Sequence, residues 1–173
     1  EFSRPIRIDT IGADPRPLTL AAEEPERAAL AKRFGLPGIT KLEAELTLAR
    51  RADEVIAAGT MRAEVTQSCV VTAEPVPAKV EVPFEILFRP QPQASGTDDD
   101  EVELSETELD VVFYDGPSVD VGEAVAETLS LSLDPYPRAP GAEAVLKQAG
   151  VKSEEEAGPF GALAALRDKL KRD

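Results

Sequence analysis

One run of alternation fixes what the middle of this chain can become. From Met61 to Phe88 the sequence reads M-R-A-E-V-T-Q-S-C-V-V-T-A-E-P-V-P-A-K-V-E-V-P-F-E-I-L-F. Met61, Ala63 and Val65 alternate with Arg62, Glu64 and Thr66. After a seven-residue connection, Val76, Ala78, Val80, Val82, Phe84, Ile86 and Phe88 alternate with Pro77, Lys79, Glu81, Pro83 and Glu85. A period of two over such lengths predicts half-buried antiparallel strands, with one face on a core and the other in water. The connection, C-V-V-T-A-E-P, holds the single cysteine of the chain.

The strand upstream extends this hairpin. Leu42, Ala44, Leu46 and Leu48 alternate with Lys41, Glu43, Glu45 and Thr47 over 39–50, and Ala52–Glu54 is a turn. Three long strands in a meander follow, and strands of that length twist strongly. Pro77 and Pro83 share the polar face of the third strand. Proline donates no ladder hydrogen bond, so that strand is expected at an edge or bulged there.

The flanks alternate strand and helix. Residues 2–9 read as a short strand, placed at an edge by Pro5, and 18–20 as another. Residues 23–34 predict a helix. Pro25 suits its first turn, acids favour its positive end, and Gly35 and Pro37 stop it. Residues 109–114 read as a strand. Asp120 is the N-cap of a further helix, with Glu123 at capping-box spacing. A short helix is expected over 142–149 and a last one over 159–172, within a helical C-terminal segment 141–173. The expectation is an α+β fold in one domain: a meander of long twisted antiparallel strands, helices packed on one face, and a C-terminal helix.

Charge is distributed unevenly. The net is −14, yet residues 1–97 carry only −2, while residues 98–110 hold eight acids and no base. Residues 91–107 lack either period and are expected to form a disordered acidic loop. Within it, Asp98, Asp99, Asp100 and Glu101 are candidates for attracting a basic partner.

Several chemistries are excluded by composition. With one Cys and no His, no internal disulfide, zinc cluster or Ser-His-Asp or Cys-His machinery can be assembled. No cofactor, metal or catalytic residue is expected, and the reading is of a non-enzyme. No apolar run approaches the roughly 18 residues of a membrane span, and E-F-S-R-P-I-R-I-D has no signal-peptide core. A cytoplasmic protein without membrane contact is expected. Cys69 reads as a small apolar filler, because its sequence neighbours offer no cation to lower its pKa. Glu74 and Pro75 read as turn chemistry or a contact point. Arg50, Arg51 and Arg62 are the candidate nucleic-acid contacts, on the condition that the meander brings them together.

Taken together, C-V-V-T-A-E-P-V, the alternating strand after it, the acidic gap and D-V-G-E-A-V-A-E-T-L-S-L-S-L-D-P-Y-P-R resemble the YceD family of large ribosomal RNA subunit accumulation proteins. P-F-G-A-L-A-A-L is similar to the family's closing segment, and A-L-A-K-R-F-G-L-P-G-I resembles alphaproteobacterial members. The turn Cys69, Thr72, Glu74, Pro75 carries the motif. Many members have a second cysteine where this chain has Thr72, so a paired-cysteine role does not transfer. The resemblance implies a ribosome biogenesis factor supporting accumulation or processing of 23S rRNA. Its implied partners are large-subunit rRNA or a pre-ribosomal particle. The alternative is an acidic module that holds basic ribosomal proteins.

Overall fold

The structure is a computed structural model that describes residues 1–92 and 110–151. The expected acidic loop, beyond its first two residues, and the expected helix over 159–172 lie outside these. Two compact units are present: Glu1–Gln67 with Pro77–Pro135, and Ser68–Val76 with Tyr136–Asp173.

The first unit is built on the alternating stretch. Strands β1 (Pro5–Arg7) and β2 (Arg16–Ala21) precede helix α1 (Glu24–Phe34) and the long strands β3 (Gly38–Arg51), β4 (Glu54–Ser68) and β5 (Pro75–Pro90). Strands β6 (Asp110–Tyr114) and β7 (Ser118–Asp120) then lead into helix α2 (Val121–Ser132). The large sheet runs β2-β3-β4-β5-β6, and β1 pairs with β7 in a separate ribbon. Strands β3, β4 and β5 have 14, 15 and 16 residues. The fold class is α+β, as the alternation and helix signals predict.

The expected meander is the centre of this sheet, and two strands extend it. β2 adds antiparallel to β3, with Leu18 opposite Leu46. β6 adds to the other side in parallel, from Ile86 opposite Asp110 to Pro90 opposite Tyr114. Alternation carries no direction, so a parallel partner was not legible. The N-terminal strand is shorter than expected, because Ile8–Thr10 turns into a 3-10 helix closed by Ile11 N–H on Ile8 O.

Pro77 and Pro83 of β5 sit on the side of the strand away from β4. Gln91, an even number of residues beyond both, donates its N–H to Tyr114 O at 3.0 Å. Alternate residues of a strand point their backbone groups to the same side. Pro77 and Pro83 therefore face the edge that, among the described residues, β6 pairs with only from Ile86 onward.

One glycine shapes the middle of the sheet. Gly59 lies opposite Leu46. A Cβ there would stand 2.0 Å from Glu45 O and 2.8 Å from Leu46 Cα, so only glycine lets β3 and β4 approach this closely.

Helices cover one face. Leu30 of α1 and Val121, Ala124, Val125, Ala126 and Leu129 of α2 join Leu42, Met61, Phe84 and Phe88 in one buried cluster. The opposite face of the sheet is polar and carries ion pairs. In the second unit, α3 (Ala142–Gln148) packs Ala142 with Ala139 and Cys69 in a small separate cluster.

Candidate functional site

The motif turn is tightly self-bonded. Cys69 N–H donates to Glu74 O at 2.8 Å, and Ala73 N–H returns to Cys69 O at 2.9 Å. Ala73 takes a left-handed conformation, φ 59°, which lets the chain reverse into β5. Thr72 Oγ1 donates to Glu74 Oε2 at 2.9 Å. Val70 N–H reaches Pro137 O at 2.9 Å, tying the turn to the segment that leads into α3.

Cys69 is buried, at 3% exposure, against Ala139, Ala142, Val71 and Val76. Its thiol pKa is pushed down to about 7, first by the backbone N–H of Ala139 and next by the Thr72 side chain, against the opposing effect of burial. Thr72 N–H lies 3.5 Å from the sulfur. No cation supplies this effect. Backbone N–H groups and the Thr72 side chain do, and the largest contribution comes from a residue 70 positions away, which is why the local sequence gave no sign of it.

The three candidate arginines are not gathered into one patch. Arg50 lies opposite Val55 and Arg62 opposite Glu43. At roughly 3.3 Å per residue, the seven positions between Glu43 and Arg50 separate them by about 23 Å. Arg50 closes the β3–β4 turn: its Nε donates to Ala52 O at 2.6 Å and its Nη1 to Ile8 O at 3.3 Å. Arg51 stands exposed beside that turn, opposite Glu54. Arg62 is held between Glu81 at 3.1 Å and Glu45 at 3.2 Å, and hydrogen bonds to these carboxylates raise its pKa. Asp98, Asp99, Asp100 and Glu101 lie outside the described residues.

The D-V-G-E motif forms a clasp on the N-terminal segment. Asp120 caps α2 by accepting Glu123 N–H at 3.0 Å. The same carboxylate accepts Arg4 N–H at 2.8 Å and the Ser3 hydroxyl. Burial raises its pKa, but these hydrogen bonds outweigh burial and the net shift is downward. A Cβ on Gly122 would meet Phe2 O at 2.4 Å, so the glycine makes room for the crossing strand. Glu123 completes no capping box. It pairs instead with Arg33 of α1 at 2.6 Å. The cap was legible in sequence, whereas its second role, holding Ser3 and Arg4, was not.

Among the described residues, no group of three or more His, Cys, Asp or Glu could hold a metal ion. No described helix is long and apolar enough to cross a membrane.

A family model for the large ribosomal RNA subunit accumulation protein YceD matches residues 57–167. The match takes in the Cys69 turn and the Asp120 clasp. No curated protein and no solved structure matches the chain. Matched over more than half its length, the chain belongs to the YceD family of large ribosomal RNA subunit accumulation proteins.

Proposed function

We propose that this protein supports the accumulation and processing of 23S rRNA in the cytoplasm without catalysing a reaction, and that it works chiefly through protein partners. Membership of a family named for large ribosomal RNA subunit accumulation supports the first part of this reading. The second part is supported by the state of the cations. Arg62, Lys79 and Arg89 on the polar face of the sheet are each ion-paired, with Glu45 and Glu81, Glu64, and Glu54 respectively. Phosphate binding draws on Lys and Arg that are free to neutralise it, and here a phosphate must first displace a carboxylate. With a net charge of −14, the chain favours basic partners such as ribosomal proteins over RNA itself.

The test is made in cells lacking the protein. The ratio of large-subunit to small-subunit rRNA should fall, and re-expression of the full chain should restore it. An unchanged ratio in the deletion strain would overturn the reading.

A further inference from the structure

The polar face of the large sheet is interrupted at one end by an apolar strip. Three ion pairs set the register there. Glu54 meets Arg89, Arg62 meets Glu81, and Glu64 meets Lys79. Each forward step on β4 is matched by an equal backward step on β5, so Ile56 stands opposite Leu87. Ala49 lies opposite Ile56 on the other side, and Leu87 lies opposite Val111. Ala49, Ile56, Leu87 and Val111 thus form one row across four strands, on the face away from the core. Leu87 is 6% exposed although it belongs to neither buried cluster. Phe113, two residues along from Val111 on the same face, is 56% exposed.

We propose that this strip docks a basic segment of a protein partner through an apolar anchor seated beside Phe113. The proposal rests on the protein-partner reading above. An exposed aromatic beside an apolar row on a sheet face is the chemistry of an interface centre. Charge selects the occupant. Glu85 borders the row on the same face and, among the described residues, has no ion pair. Arg89, the cation opposite Phe113, is already held by Glu54 at 2.6 Å. A partner's Lys or Arg finds a carboxylate waiting in Glu85, whereas a nucleic acid stacking on Phe113 finds its nearest guanidinium engaged.

The experiment places the photo-crosslinking residue p-benzoylphenylalanine at position 113 of the full chain in cells. A second strain carries it at position 131, where Leu131 is 85% exposed on α2. Irradiation should give, from position 113 alone, an adduct resistant to RNase whose peptides identify a Lys/Arg-rich protein. Adding Glu85→Lys should reduce that adduct by about tenfold or more, because like charges brought face to face disfavour association. Any other outcome overturns the proposal: an RNase-sensitive adduct, a second copy of this chain, an acidic partner, indifference to Glu85→Lys, or no adduct. The rRNA ratio measured in the same cells separates the two readings. A normal dependence of that ratio on the protein, with no adduct at 113, sinks the docking strip and leaves the biogenesis role standing.

Discussion

The backbone N–H of Arg4 lies 2.8 Å from Asp120 Oδ1, across 116 residues of sequence. The same arginine grips Glu26 of α1 with both terminal nitrogens, at 2.7 and 2.9 Å. One residue therefore joins the N-terminus to both helices that cover the sheet. Phe2 beside it is fully buried.

This clasp sets a pH dependence. Asp120 has a pKa lowered in the folded state. Its stabilising contribution is complete above the ordinary carboxylate value of about 4 and is lost as pH falls through the lowered folded value. Glu26, lowered chiefly by the Arg4 hydrogen bond, acts in the same direction. Asp120→Asn should flatten the stability profile at acid pH, measured by urea unfolding at a series of pH values. Asp120→Ala should also cost about 1–2 kcal/mol at neutral pH through loss of the cap. An equal acid slope in wild type and Asp120→Asn would refute this.

Gly59→Ala should destabilise far more than an average surface substitution. The added methyl would overlap the Glu45 carbonyl, and forcing extra volume into packed structure costs about 1–3 kcal/mol. The comparison is Ala58→Ser, one residue away on the polar face, which should leave the urea midpoint nearly unchanged. Equal midpoints for both variants would show that β3 and β4 can separate freely.

The depressed pKa of Cys69 should appear in its chemistry. Native-state alkylation by iodoacetamide, followed by mass spectrometry, should show a rate midpoint near pH 7. Because the sulfur is almost fully covered, the rate itself should be slow. Thr72→Val should move the midpoint upward by removing a side-chain hydrogen bond. A midpoint at the value of a free thiol in both proteins would count against the geometry of the turn.

Direct RNA contact predicts a steep salt dependence, which we expect to be absent. Each phosphate contact to single-stranded RNA steepens the affinity by roughly 0.7 log unit per log unit of salt. Changing Arg50, Arg51 and Arg62 to Gln should leave the weak binding of a labelled large-subunit rRNA fragment unaltered. A slope that flattens in the triple variant would restore these arginines as RNA contacts.

The elements of the large sheet were legible where side-chain pattern alone decides them. Leu42 to Leu48 and Val76 to Phe88 alternate because one face is buried, and Pro77 and Pro83 point to an edge for want of an N–H. The cap at Asp120 was legible for the same local reason. What escaped depends on which strands meet. The arginines could not be placed until the register set Arg62 opposite Glu43. The apolar strip needs the parallel β6, since Val111 and Phe113 mean little until Leu87 and Arg89 lie beside them. The lowered pKa of Cys69 needs Ala139, a distant neighbour in sequence.

The clasp also sets an order of events during synthesis. Strands β2 to β5 are all encoded before residue 91, so most of the large sheet can assemble while the rest of the chain is being made. The N-terminal strand cannot join it. Its partners on β7 and α2 lie 116 residues behind Arg4. At about 5–20 residues per second, that gap corresponds to roughly 6–23 seconds of translation. For that interval Phe2 lacks Val121, Val125 and Leu129, with which it is buried in the finished fold, and it stays available to whatever binds emerging polypeptides at the ribosome.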